Sequence, residues 1–296
     1  VIPATDGPPT LDRVVAAIQR ATNPPAEVII VRSPSSAGPA AARNRGAREA
    51  TGDVLVFVDA DVEVHTDVFE EIREAFRGDA ALTAVFGSYD DAPEAAGVVS
   101  DFRNLLHHHV HHAGAGPAST FWAGLGAVRR DAFLSTGGFD EERYRHPSVE
   151  DIELGMRLYA RGARLRLDPT IQGKHLKHWT LGNMLKTDLL RRGVPWLRLV
   201  LENGSSSSAL NLGWAHRAST GASVVLFVGL LRRNVRLSAL TLALLIFLDR
   251  RFYLLLARRG GTRLAAAGLP LYLAHRLTSA AAVPIALTAH LFRRRA

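Results

Sequence analysis

The chain has 296 residues, 47% of them hydrophobic and 22% charged, with 36 Lys and Arg against 28 Asp and Glu and no cysteine. That length allows one large domain or two modest ones, and the apolar content excludes a disordered chain, while the missing thiols exclude disulfide scaffolds, thiolate zinc sites, iron–sulfur clusters and thiol nucleophiles. The formal net charge of +8 invites a nucleic-acid reading. From Asn211 to Ala296, however, there are 13 Arg, no Lys and the single acid Asp249, a local charge of +12 that leaves −4 for residues 1–210. A mildly acidic first part does not attract a phosphate backbone, so that reading is set aside.

The chain opens at Val1-Ile2-Pro3 without a methionine, as expected of a trimmed start, and its opening residues do not read as a leader peptide. A helix is expected around Leu11–Ala21, with Leu11, Val14, Val15 and Ile18 on one face. Glu27–Val31 reads as a buried strand, Pro39–Ala50 as an Ala-rich helix, Val54–Val58 as a strand, Phe69–Phe76 as a helix and Leu82–Gly87 as a strand. Helices are also expected over Val98–Ala113 and over Ile152–Arg161, the latter ended by Gly162. This alternation predicts an α/β fold with a mostly parallel sheet, helices on both faces and a ligand at the carboxyl ends of the strands.

At the end of Val54–Val58 stand Asp59-Ala60-Asp61. Two carboxylates one residue apart at the lip of a sheet can share a hard divalent ion, and they can equally cap a turn. Glu150-Asp151 opens a helix, where acids suit the partial positive charge of the N-terminus; one of them at the mouth of a cleft can also deprotonate a hydroxyl. Five histidines, His107, His108, His109, His111 and His112, place imidazoles four residues apart on one helix face, as a zinc site would need. No carboxylate or thiolate accompanies them and the helix needs a polar face, so a structural role is preferred.

Taken in order, VIPATD at Val1–Asp6, the stretch from Gly38 to Asp61, FWAGLGAVRRDAF at Phe121–Phe133, GGFDE at Gly137–Glu141, EDIELGMRL at Glu150–Leu158 and KHLKHW at Lys174–Trp179 resemble the family 2 glycosyltransferases. That resemblance covers roughly residues 1–200 and implies the GT-A fold, a Rossmann-like sheet. It implies that Asp59 and Asp61 bind Mg²⁺ or Mn²⁺ against the donor's diphosphate, with His175 approaching the metal. Asp151 would be the base of an inverting displacement, with Glu150 as the lesser candidate. Pro3, Ala4, Thr5 and Asp6 would line the nucleotide pocket, with Arg43 and Asn44 on its far side, Lys177 on the diphosphate, Gly124 and Trp122 facing sugar and acceptor, and Trp179 on acceptor or lipid. One departure stands out: where such relatives carry an Asp for the base, this chain has Arg32 nearby, so the nucleotide is undefined. A non-catalytic scaffold with a decayed nucleotide pocket and a nucleotidyltransferase are the rival readings, the second weakened because Ala4–Pro9 lacks the Lys of a phosphate loop.

Leu181–Leu201 mixes Leu, Trp196 and Val200 with Lys186, Arg191, Arg192 and Arg198, as an amphipathic helix at a membrane interface or packed on the catalytic domain would. Ser205–Ser208 reads as a linker. Ala218–Leu231, Leu237–Leu248 and Leu264–Phe292 are apolar runs bordered by arginines, with kinks expected at Pro270 and Pro284. The expected layout is thus a GT-A domain over 1–180, an interface helix and linker over 181–210, and a membrane anchor over 211–296 with two or three transmembrane segments. The expected partners are a nucleotide-sugar donor and a lipid or lipid-linked acceptor, with no nucleic acid, at the plasma membrane with the catalytic domain cytoplasmic.

Overall fold

The computed structural model describes residues 1–34, 36, 38–203 and 213–293, so the expected linker Ser205–Ser208 lies outside the described residues. Two compact units are present, one formed by Val1–Glu94 and Val110–Lys177, the other by Ala95–His109 and His178–Ala296.

The first unit holds β1 (Ile2–Pro3), β2 (Ile30–Val31), β3 (Val54–Val58), β4 (Val62–Val64), β5 (Leu82–Tyr89), β6 (Gly116–Ala118), β7 (Leu125–Arg129) and β8 (Arg164–His175). β1 pairs parallel with β2, and Val1 ties it to β3 through hydrogen bonds from its amine to Val56 O and from Val58 N to its carbonyl. Next to β3 follow β7, β5, β8 and β4, with β6 also paired to β8. β5 and β8 run parallel; β7 runs against β3 and β5, and β4 and β6 run against β8. β1, β2, β3, β5 and β8 therefore share one direction, giving the mostly parallel α/β sheet of a GT-A-like fold. The reversed β7 between β3 and β5 is not visible in the β–α alternation.

Helices α1 (Leu11–Arg20), α2 (Pro39–Glu49) and α3 (Val68–Gly78) belong to this unit, as do α5 (Arg130–Ser135) and α6 (Glu150–Ala160). In α1 the apolar stripe buries Leu11, Val14 and Ile18, each side chain contributing about 1.5–3 kcal/mol. Pro39 occupies the first turn of α2, where its missing N–H costs nothing, and α6 stops before Gly162, whose φ of +83° suits a residue without Cβ. β2 is shorter than Glu27–Val31 because Glu27 turns its carboxylate to the Thr51 and Gly52 amides, closing the turn before β3. An apolar cavity of about 330 Å³, lined by residues that include Ile18, Val54, Val56, Phe69 and Ile72, lies beside β3 and contains none of the acidic site residues.

The helix α4 (Val98–Ala113) contributes residues 98–109 to the second unit. That unit continues with α7 (Leu181–Lys186), a π-helical stretch (Thr187–Gly193), α8 (Val194–Asn203), α9 (Trp214–Leu231), α10 (Val235–Leu248) and α11 (Arg250–Arg293). Here three expectations are corrected. Among the described residues no helix is long and apolar enough to cross a membrane. α10 has 14 residues, about 21 Å at 1.5 Å per residue against a hydrocarbon core of about 30 Å. The first ten residues of α9 are mostly small or polar, and the apolar run of α11 carries buried His275 and Arg276 at its middle. Second, α11 leaves helical backbone angles at Gly260 and Gly261, the latter at φ +66°, and not at Pro270 or Pro284. Third, Met184, Asp188, Trp196 and Leu199 of the expected interface helix are buried, so much of its apolar side faces protein.

Candidate active site

The carboxyl end of β3 delivers Asp59, and the turn into β4 delivers Asp61. Each is anchored by backbone: Asp59 N donates to Gly124 O at 2.9 Å, and Asp61 O accepts from Leu176 N at 2.9 Å. His175, the last residue of β8, is buried, with its Nε2 3.5 Å from Asp61 Oδ2. Its ring stacks on Tyr89 at 4.1 Å between centroids, and Tyr89 meets Trp122 edge-on at 5.0 Å. Although burial pushes the Asp61 carboxyl up, His175 and the charge of exposed Lys177 bring it below its ordinary value. Asp59 goes the other way: burial and the neighbouring Asp61 raise it against the pull of Arg43.

From α2 comes Arg43, with its guanidinium buried, donating from Nη2 to Asp59 Oδ1 at 2.6 Å and from Nη1 to Glu150 Oε1 at 3.0 Å. Glu150 Oε2 accepts from Ser148 N at 2.8 Å. Both Glu150 oxygens are thus engaged, one of them by the buried guanidinium. Asp151 is held by backbone N–H groups instead: Oδ2 accepts from Ala123 N at 3.1 Å and Oδ1 from Ile152 N at 2.8 Å. Burial, then the like charge of Glu150, push its carboxyl up to about 6. Ala123 binds Asp151 while Gly124 binds Asp59, so two adjacent backbone residues pin the acid of α6 and the acid of β3 to one place.

Glycine is required at Gly124 by its neighbour: a Cβ there would lie 2.4 Å from the Trp122 indole. Pro3, Ala4 and Thr5 close β1, with Ala4 N bonded to Val31 O and Asp6 exposed in the following turn. Asn44 is engaged within the protein. Its amide clamps both the N–H and C=O of Phe139 at 2.8 Å and also reaches Glu141, which holds the Gly138 turn at φ +67°. Trp179 lies in the second unit, buried against Arg103 with its backbone N–H on Ser100 Oγ. His111 Nδ1 donates to Gly87 O at 2.8 Å, His112 meets Gln172 and His109 packs on Phe252, so these three histidines have separate structural partners. Sequence reasoning missed Tyr89, whose position at the carboxyl end of β5 was the available signal, and the pair Asp90–His65 at 3.0 Å, in which Asp90 raises the imidazole's proton affinity.

Among the described residues no three metal-ligating side chains converge into a closed site. Mg²⁺ and Mn²⁺ do not require one, since such ions are held by one or two carboxylates together with substrate phosphates and water. Two carboxylates and an imidazole at the open end of the sheet fit that donor set, and Asp59, Asp61 and His175 are the residues that would hold such an ion.

Residues 1–135 match the model described as Glycosyl transferase family 2. Over 155 residues the chain is 30% identical to the pre-mycofactocin glycosyltransferases of two strains of Mycobacterium tuberculosis, a match covering 48% of this chain and 31% of theirs. The chain therefore spans about a third of the length of those relatives. A mannosyltransferase from Pyrobaculum calidifontis, solved with GDP-Man and Mn²⁺, superposes with a TM-score of 0.60 at 16% identity, over 97% of this chain and 85% of that one. Over residues 1–135 the chain is thus similar to glycosyl transferase family 2, and the fold that carries this segment is of the GT-A type.

Proposed function

We propose that this chain is a metal-dependent, inverting glycosyltransferase that moves a sugar from a nucleotide-sugar donor to a hydroxyl acceptor. The observation that carries the reading is the pinning of Asp151 and Asp59 by Ala123 and Gly124 at the open end of the sheet. The family match over residues 1–135, and the GDP-Man and Mn²⁺ held by the Pyrobaculum calidifontis mannosyltransferase, support the same class of donor. Asp59, Asp61 and His175 would hold the divalent ion, which when bound neutralises charge on the departing nucleoside diphosphate.

Asp151 takes the proton of the acceptor hydroxyl as that oxygen bonds to the sugar's anomeric carbon. The bond from that carbon to the diphosphate breaks on the opposite face, and its electron pair leaves with the diphosphate. A carboxyl raised to about 6 by burial suits this task, because a base works best when its pKa lies near the working pH. Trp122, set edge-on to Tyr89, supplies an apolar wall beside the reacting groups.

The acceptor is proposed to be lipid-linked. Unit two exposes Val225, Phe227, Leu230, Leu231, Leu240 and Phe247 on α9 and α10, with Arg232, Arg233 and Arg236 at the turn between them. Exposed apolar surface edged by arginine suits the headgroup layer of an anionic membrane without crossing it. With nucleotide sugars made in the cytosol, the catalytic unit would work at the cytoplasmic face of the plasma membrane.

The test is purified full chain in detergent, given a panel of nucleotide sugars, polyprenyl phosphate and Mn²⁺. One donor should turn over, EDTA should abolish turnover and added Mn²⁺ restore it. Turnover untouched by EDTA would remove the metal role of Asp59 and Asp61.

A further inference from the structure

Three acids of the first unit, Asp59, Glu150 and Asp151, are served by one buried guanidinium. Arg43 binds Asp59 on one side and Glu150 on the other, and Glu150 is fixed in turn by the Ser148 amide. Asp151 accepts from the Ala123 and Ile152 N–H groups. The charged groups around it are Glu150 on its own helix, Arg43 from α2 and, past Arg43, Asp59 and Asp61 with His175 of β8. Glu153, a half-turn along α6, is taken up by Arg157 at 2.6 Å.

Remove Glu150 from this arrangement and one of the two carboxylates that offset the Arg43 charge is lost, making Asp151 a weaker base. We propose that Glu150 is a positioning residue: it anchors Arg43 toward Asp59 and cancels the guanidinium's field at Asp151, keeping that carboxylate basic enough to take the acceptor's proton. The proposal rests on the reading of Asp151 as the base. It differs from a mere brace because it fixes the direction in which two substitutions move the pH profile. Burial supports the direction, since charge effects on a buried carboxyl are little screened by water.

The experiment is the pH dependence of kcat/KM for sugar transfer by full-length wild type, Glu150→Gln and Arg43→Gln, with Asp151→Asn as reference. Glu150→Gln keeps an amide oxygen for Arg43 while losing the charge, so its acidic limb should move down by about one pH unit, a tenfold change in proton affinity. Its kcat above the limb should fall while donor KM changes less than about twofold, as expected when a base is weakened and binding is left alone. Arg43→Gln should move the limb up; should that variant not fold, the Glu150→Gln profile decides alone. A Glu150→Gln limb that stays in place or rises overturns the proposal, even if kcat falls at every pH. Full turnover by Asp151→Asn would instead overturn the base assignment, so the two failures are distinguishable.

Discussion

Both units bury ionic clusters, but with opposite balance. In the first, Arg43 is shared by Asp59 and Glu150 while Asp151 adds a third acid. In the second, Asp188 is shared by Arg103 and His275, each at 2.8 Å, and Asp249 is bound by Tyr272 at 2.7 Å and by Arg276 at 3.3 Å. The consequences for proton affinity diverge. Burial acts on Asp188 too, yet Arg103 and His275 hold its carboxyl well below the usual range, whereas Asp151 is pushed up to about 6. A compensated cluster braces helices. A cluster with surplus acid offers charge to a cation and a site for a proton, as the proposed transfer requires.

The sharpest way to break this contrast is to cut each cluster. Asp188→Ala leaves the buried Arg103 without its carboxylate, and losing one partner of a buried ion pair costs about 3–5 kcal/mol. Urea unfolding followed by helical circular dichroism should show that loss, while the pH at which the remaining activity rises stays at the wild-type value. Asp151→Asn should act in the opposite sense on stability. Its folded carboxyl lies near 6 against an ordinary 3.8, so the ionised form burdens the native state, fully above pH 6 and not at all below pH 4. Replacing it removes a penalty of roughly 3 kcal/mol and forfeits about one hydrogen bond, a net gain of about 2 kcal/mol at pH 8 that turns into a loss of about 1 kcal/mol at pH 4, where only the lost hydrogen bond remains. Chemical denaturation at the two pH values checks the sign.

Smaller effects refine the picture. Gly124→Ala drives a methyl group into the Trp122 indole, a strain of about 1–2 kcal/mol by the measure of overpacked cores. Activity should fall with little change in the far-ultraviolet spectrum, because Trp122 moves while the sheet stays. Phe247→Ser, at a 63% exposed site, should change stability by less than about 0.5 kcal/mol. It should nevertheless weaken sedimentation with anionic vesicles; equal sedimentation would remove this surface from the lipid-facing reading.

Much of the first unit is legible in the sequence. Val54–Val58 is a short β-branched run ended by acids, and it forms β3 with the same boundaries; α4 likewise matches Val98–Ala113. What escapes is whatever depends on distant residues meeting. The dual pairing of Arg43 spans 107 positions to Glu150, and no local pattern encodes it. KHLKHW reads as one motif, yet the boundary between the units falls between Lys177 and His178, sending His175 to the acidic site and Trp179 to a buried place beside Arg103. Within the apolar run Leu264–Phe292, His275 is a buried hydrogen-bond partner of Asp188 and Arg276 a buried ion-pair partner of Asp249.

The most direct measurement is kcat/KM for sugar transfer against pH, with a donor the wild type accepts, for wild type and Asp151→Asn side by side. The wild-type curve should rise through about pH 6, and the variant should be flat and lower by about 10²–10⁴, the range for loss of a general base. Superimposable curves would contradict the assignment of Asp151 as the group that takes the acceptor's proton.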